Sequence, residues 1–256
     1  MKLSRRKFIK TGLIYVPTAL ASTTIIPGPG AKHSGVSASG PLTTNLASWL
    51  KADAITGKSD GDTMVTTDWP DSSGNGRSSG VFAGVTYKTN VQNGLPVCRF
   101  GNGFQNGMTW TGATNLLNAL PFTIFLVYSY RAASSAGHRA FQGSNNWLIG
   151  PYSLKYSFYN GAFIDGPATT QNLFKYVTVR QVTGTAEHWV NGISQGTNSN
   201  NTTPGAIIGL GEFGGSGAGG VEPLNGDIGE VLIYTAGLSV SDRQSVESYL
   251  ATKWGL

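Results

Sequence analysis

Phe122-Thr123-Ile124-Phe125-Leu126-Val127-Tyr128-Ser129-Tyr130 is the stretch that decides the fold. It is β-branched and aromatic throughout, and it opens apolar on both faces. A strand covered on both sides belongs in the middle of a layered β structure. Working outward, Lys175 to Val182 alternates, with Tyr176, Thr178 and Arg180 on one side and Val177, Val179 and Gln181 on the other. Gly184-Thr185 turns it back into Ala186 to Val190, and Asn191-Gly192 follows. Asn-Gly is the strongest short hairpin signal, because both residues tolerate positive φ. Arg139 to Gly143, Trp147 to Gly150, Leu154 to Tyr159, Ala206 to Leu210 and Ile228 to Tyr234 read as further strands. Gly is abundant at 36 residues and charged residues are only 12% of the chain. Turn residues recur about every ten positions, which is the spacing of an all-β domain.

Two helices are expected around this β core. Asn45 is placed to cap a short one over Leu46 to Lys51. The second closes the chain: Ser241 and Gln244 read as a capping box, and Val246, Leu250 and Trp254 recur at i, i+4, i+8. That stripe is expected to pack on the sandwich.

The N-terminus carries an address. Ser4-Arg5-Arg6-Lys7-Phe8-Ile9-Lys10 leads into a run without charge until Lys32. Arg5 and Arg6, followed by a weakly apolar stretch and Ala19-Leu20-Ala21, have the layout of a twin-arginine export signal with cleavage after Ala21. The expected organisation is a signal over 1–31, a Ser/Gly-rich linker over 32–41 and one domain over 42–256. The twin-arginine export machinery is then a partner, and the destination is periplasmic, cell-surface or extracellular. Gly12 and Pro17 make the run a poor permanent membrane span. An uncleaved signal would be the one exception.

Removing the signal changes the charge argument. The chain has 18 Lys+Arg and 13 Asp+Glu. Taking away Lys2, Arg5, Arg6, Lys7 and Lys10 leaves 13 of each sign. The mature domain is neutral and shows no basic cluster, so nucleic acid is not an expected partner. The lone Cys98 lies in an apolar run and reads as a small buried hydrophobe.

Five motifs come in order: Trp49-Leu50-Lys51-Ala52-Asp53, Trp69-Pro70-Asp71-Ser72-Ser73-Gly74-Asn75-Gly76, Asn93-Gly94-Leu95-Pro96-Val97-Cys98-Arg99-Phe100, Gly226-Asp227-Ile228-Gly229-Glu230-Val231-Leu232-Ile233-Tyr234, and Tyr249-Leu250-Ala251-Thr252-Lys253-Trp254-Gly255. Together they resemble bacterial laminin-G-like domains of the concanavalin A-like lectin/glucanase superfamily. The resemblance spans roughly Pro41 to Leu256. It implies a jelly-roll β-sandwich of two antiparallel sheets with a concave face. Cys98, Gly229 and Trp254 stand where the resemblance leads one to expect Val, Ala and Tyr. Asp71-Ser72-Ser73-Gly74-Asn75-Gly76 also reads as an Asx turn.

The superfamily includes glycoside hydrolases, whose glucanases carry Glu-x-Asp-x-x-Glu or a close variant. No Glu-x-Asp occurs here. Asp227 and Glu230 are three apart, so a regular strand sends them to opposite faces. Gly209-Leu210-Gly211-Glu212-Phe213-Gly214 matches G-x-G-x-x-G, but glycines follow it instead of the helix a dinucleotide site needs. No cofactor is assigned. Ca2+ is an open option for Asp60, Asp62, Asp71 and Asp227, each of which also reads as a turn residue.

Aromatic and amide residues gather between Asn145 and Asn160. Asn145, Trp147 and Tyr156, with His188 and Trp189 from another strand, are the candidate ligand-binding residues. No catalytic residue is assigned. The leading expectation is an exported, non-catalytic module that binds glycan or another extracellular surface. One alternative is a hydrolase-like enzyme whose carboxylates come from distant strands. The other is a structural or adhesion domain with a protein partner.

Overall fold

The computed structural model describes residues 40–80, 82–101, 106–132, 137–211 and 222–256. The expected export signal and nearly all of the expected linker lie outside them, as do residues 212–221 of the glycine-rich loop. The described strands are β1 (Leu46–Lys51), β2 (Phe82–Ala83), β3 (Val85–Gln92), β4 (Leu95–Phe100) and β5 (Gly107–Thr109). Next come β6 (Phe122–Tyr130), β7 (Phe141–Gly143), β8 (Trp147–Tyr152), β9 (Lys155–Tyr159) and β10 (Phe163–Ala168). Then follow β11 (Lys175–Val182), β12 (Thr185–Val190), β13 (Ile193–Asn198), β14 (Ile208–Leu210) and β15 (Gly226–Tyr234), before helix α1 (Val240–Trp254).

They form two antiparallel sheets. The first runs β13-β12-β11-β6-β15-β4-β3, with β1 also paired to β15. The second runs β10-β9-β8-β7-β14-β5-β2. β6, the opening stretch, is buried along its whole length between β11 and β15. Its even-numbered side chains Ile124, Leu126 and Tyr128 enter the core between the sheets, while Phe125 and Val127 join a second apolar cluster beneath α1. The strand is apolar on both sides because each side faces a different layer. The fold is thus the jelly-roll-type β-sandwich the sequence suggested.

Leu46 to Lys51 is a strand, not the expected short helix. Its residues pair antiparallel with β15, Leu50 opposite Val231 and Trp49 opposite Leu232. Asn45 adopts a left-handed turn at φ 60°, and the nearest helical piece is one 3-10 turn over Ala52–Ala54. Burial against β15 overrides the helix formers in this segment. The α1 cap also differs by two residues. Ser239, not Ser241, accepts from the Asp242 backbone N–H at 3.2 Å. Val246, Leu250 and Trp254 are fully buried, as their spacing predicts.

A β-bulge changes the parity of β15. Its register against β6 shifts between Ile228 and Glu230. Asp227 therefore stands opposite Ser129 and Glu230 opposite Val127, two positions that share a face of β6. The expectation that they point apart fails because Gly229 is an extra residue. Glu230 is fully buried on the α1 side. Its carboxylate accepts from Trp49 Nε1 at 2.6 Å, Tyr249 Oη at 2.8 Å and Trp254 Nε1 at 2.8 Å, and pairs with Lys253 Nζ at 2.9 Å. Partners from two of the other motifs converge on this one carboxylate, which ties α1 and β1 to the sheet. A buried charge survives only when its lone pairs are filled in this way. Burial and the Glu230 charge beside it push the Tyr249 phenol far above its ordinary range.

The Asp71 turn is the other tether. Asp71 Oδ1 accepts from Trp49 N at 2.9 Å and Ser73 N at 3.0 Å, and Oδ2 accepts from Arg77 N at 2.8 Å. Partial burial pulls its pKa up, but the N–H groups of Ser73, Trp49 and Arg77 prevail and hold it below the usual carboxylate range. Cys98 is fully buried, and desolvation raises its thiol well above the ordinary value. Among the described residues no helix is long and apolar enough to cross a membrane.

Candidate carbohydrate-binding face

The two sheets differ in what covers their outer faces. On the first sheet, α1 lies over Phe125, Val127, Tyr176, Leu232 and Tyr234. On the outer face of the second sheet pairing sets a row that runs from buried Gln142 and Leu148 to half-buried Tyr159 and exposed Phe163: Gln142 opposite Leu148, Leu148 opposite Tyr159, Tyr159 opposite Phe163. Arg139, Asn146, Leu148, Tyr152, Tyr159 and Phe163 line a recess of about 150 Å³ there.

The aromatic part of the recess is a three-ring cluster centred on Phe163. Its ring centroid lies 4.7 Å from that of Tyr159 and 4.9 Å from that of Tyr152, tilted in both cases. Phe163 is 43% exposed, so one ring of the cluster is open to a ligand. The polar part is Arg139. Its Nε donates to the Glu222 carboxylate and its Nη2 donates to Asn146 Oδ1 at 2.8 Å. Gly150 makes room: a Cβ there would lie 2.3 Å from the His138 carbonyl oxygen and 3.0 Å from Arg139 Cα. Farther along, Lys155 Nζ pairs with Asp165 Oδ2 at 2.9 Å, and Ser157 Oγ donates to Asp165 Oδ1 at 2.8 Å. Rings for apolar ligand faces, beside amide, guanidinium and hydroxyl groups, are what an oriented polar ligand requires.

The residues singled out from sequence are not brought together. Trp147 and Tyr156 are inward members of β8 and β9 and fill the core. The Trp147 ring packs edge-on to Phe122, Phe141 and Phe158, and its Nε1 donates to Gln181 Oε1 at 3.2 Å. Tyr156 packs edge-on to Tyr128. His188 is fully buried, with Nδ1 3.1 Å from the Ile164 carbonyl oxygen. Burial pushes its pKa down to about 4, against small opposing effects of that carbonyl and of Asp165. Trp189 lies on the opposite face of the molecule, under the Arg243 guanidinium at 4.3 Å. There it lines a separate recess of about 270 Å³ with Arg180, Glu187, Leu238, Ser239, Val240 and Arg243. Asn145 is exposed beside the recess-lining Asn146, its N–H donating to the Pro204 carbonyl at 3.1 Å. Strand alternation sends Trp147 and Tyr156 inward and their neighbours Asn146, Leu148 and Tyr159 outward. The same alternation was the sequence signal for the recess. Arg139 and Phe163 carried no such signal, because each comes from a different strand or loop.

The candidate calcium carboxylates are dispersed. Asp60 takes Lys88 Nζ at 2.5 Å, Asp62 accepts from Ser59 N at 2.7 Å, and Asp227 is gripped by Arg99 at 2.7 and 2.9 Å. Asp71 serves the turn already described. Among the described residues no three His, Cys, Asp or Glu side chains gather as a metal site.

No family model matches the sequence, and no curated protein sequence matches it. Solved structures do match its fold. Domain 4 of AbnA, an extracellular GH43 arabinanase from Geobacillus stearothermophilus solved with arabinotriose, superposes with a TM-score of 0.58 at 13% identity, covering 79% of this chain and 97% of that one. The sialidase of Trypanosoma rangeli gives 0.56 at 12%, covering 83% of this chain and 33% of that one. The binding domain of botulinum neurotoxin serotype D, solved with N-acetylneuraminic acid, gives 0.56 at 11%, covering 81% and 51%. The chain thus spans nearly all of the arabinanase domain and a third to a half of the other two. At these identities the likeness is one of fold.

Proposed function

We propose that this protein is an exported, non-catalytic carbohydrate-binding module whose ligand lies across Tyr152, Tyr159 and Phe163 at the exposed β8–β10 end of the second sheet's outer face. The observation that carries the reading is that cluster, with an exposed ring at its centre, next to Arg139 and Asn146. Sugar C–H faces lie on such rings, and hydroxyls take the flanking polar groups. The fold supports the reading, because two domains that share it were solved with saccharides, arabinotriose and N-acetylneuraminic acid. Export is the expectation from Arg5 and Arg6. The laminin-G-like, concanavalin A-like assignment rests on the five motifs together with this fold.

The two described carboxylates beside this recess are each paired with a cation. Glu222 is bound by Arg139 and Asp165 by Lys155. A glycosidase needs one carboxyl as acid and a second as base or nucleophile, roughly 5–10 Å apart across the scissile bond. Both are held ionised beside cations, and neither stands as the neutral acid that such a pair needs. Isothermal titration of the mature protein against neutral and acidic oligosaccharides tests the proposal. Binding is expected, with at least a ~10-fold loss in Phe163→Ala and Tyr159→Ala and no release of reducing ends. Absence of binding across the panel, or binding untouched by both substitutions, would overturn it.

A further inference from the structure

We infer that Glu222 makes the recess selective for uncharged saccharides, by occupying the guanidinium that an acidic sugar would otherwise use. The inference rests on the proposed function and adds the ligand class to it.

Among the described residues, Arg139 is the one cation lining the recess. A guanidinium in a sugar site is the natural partner of a sugar carboxylate, which it grips through two parallel N–H bonds. Here that grip is taken. Nε holds the Glu222 carboxylate, and Nη2 holds the Asn146 side-chain carbonyl. Arg139 is almost completely buried, so Glu222 also neutralises a charge that burial would leave costly. The Glu222 charge reaches Tyr152 as well and raises its phenol pKa. The other cation of this face, Lys155, is paired with Asp165. The face therefore offers rings, an amide and hydroxyls, with each cation matched to a carboxylate of the chain itself.

An anionic sugar approaching this surface meets no net positive potential, and Glu222 and Asp165 repel it. To reach Arg139 it must displace Glu222 and leave that carboxylate without its partner. A neutral saccharide needs only the rings and the hydrogen-bonding groups already on display. Specificity of this kind comes from a built-in repulsive element rather than from a better fit.

The test compares arabinotriose, sialyllactose and a galacturonate oligomer by titration calorimetry on the mature protein, at low and high ionic strength. Arabinotriose stands for the neutral class and the other two for acidic sugars. The wild type is expected to bind the neutral probe, with little salt dependence, at least ~10-fold more tightly than either acidic probe. Glu222→Gln is expected to raise the acidic-to-neutral affinity ratio about 10-fold or more and to make acidic binding salt-sensitive. Adding Arg139→Gln to that variant is expected to abolish the gain. Acidic probes that bind the wild type as tightly as the neutral one, or a ratio unmoved by Glu222→Gln, would overturn the inference and leave the binding function standing. Should Glu222→Gln fail to fold, the wild-type ratio and its salt dependence decide alone. If neither class binds, the underlying function falls and the inference with it.

Discussion

Gly229 and Trp254 occupy each other's space. A Cβ built on Gly229 would lie 2.3 Å from Cη2 of the Trp254 ring. Gly229 is not at positive φ, so its backbone makes no demand for glycine. The demand is steric. The two positions are therefore sterically coupled. The indole fits because the facing residue carries no methyl group, and the indole N–H reaches Glu230 at 2.8 Å.

The coupling is measurable. Gly229→Ala alone is expected to cost about 1–3 kcal/mol by overpacking, and Trp254→Tyr alone a similar amount by leaving a void. The double variant should recover part of the loss, with a coupling above about 1 kcal/mol in denaturant melts. Strict additivity would refute the pairing.

Glu230 should be the least replaceable carboxylate of the domain. Glu230→Ala leaves the Trp49, Tyr249 and Trp254 donors without their acceptor and the Lys253 ammonium with Asp53 alone. A loss of about 3–5 kcal/mol is expected from breaking a buried charge cluster. A loss below about 1 kcal/mol by chemical denaturation would mean the cluster is dispensable.

His188 predicts an acid limb of stability. Its folded pKa is about 4, below the ordinary 6.5. Between those values the unfolded chain binds a proton that the folded one refuses, so stability falls as pH drops from about 6.5 toward 4. The shift corresponds to roughly 3 kcal/mol across that window. Urea melts at several pH values should show the decline, and His188→Gln should flatten it. An unchanged slope in the variant would place the titration elsewhere.

The β8–β9 hairpin carries strain. Ser153 and Leu154 are both left-handed, at φ 50° and 59°, and Leu154 is 40% exposed. A bulky side chain costs roughly 1 kcal/mol in that region, and Asn-Gly is the favoured turn pair there. Ser153→Asn/Leu154→Gly is expected to raise stability by about 1 kcal/mol. A fall in melting temperature would show that Leu154 packs more than it strains.

Much of this fold was legible. β6 and β11 declared themselves by continuous and alternating apolarity, and the spacing of Val246, Leu250 and Trp254 gave the buried face of α1. β1 was not legible, since Leu46, Ala47, Leu50 and Lys51 are good helix formers. Only pairing with a strand some 180 residues away makes them extended. The parity of β15 was equally hidden, because the bulge at Gly229 exists only against β6. For the recess, strand parity decided: Trp147 and Tyr156 point into the core, while Tyr152 and Tyr159 on the same two strands point out. The outward ring cluster needed Phe163 from β10, and the site needed Arg139 from the segment before β7, a juxtaposition that sheet pairing alone creates.

The position of β15 bears on how the chain is assembled during synthesis. It lies at the heart of the first sheet, bordered by β6 on one side and by β4 and β1 end to end on the other. Yet it is made last among the strands, about a hundred residues after β6. A nascent chain therefore emerges with its most apolar strand unpaired along one edge, and closes that edge only once residues 226–234 have left the ribosome. Closure by such distant pairing is slow, and an open apolar edge invites pairing with other copies. The demand falls on the cell: it must shield the emerging chain until β15 arrives.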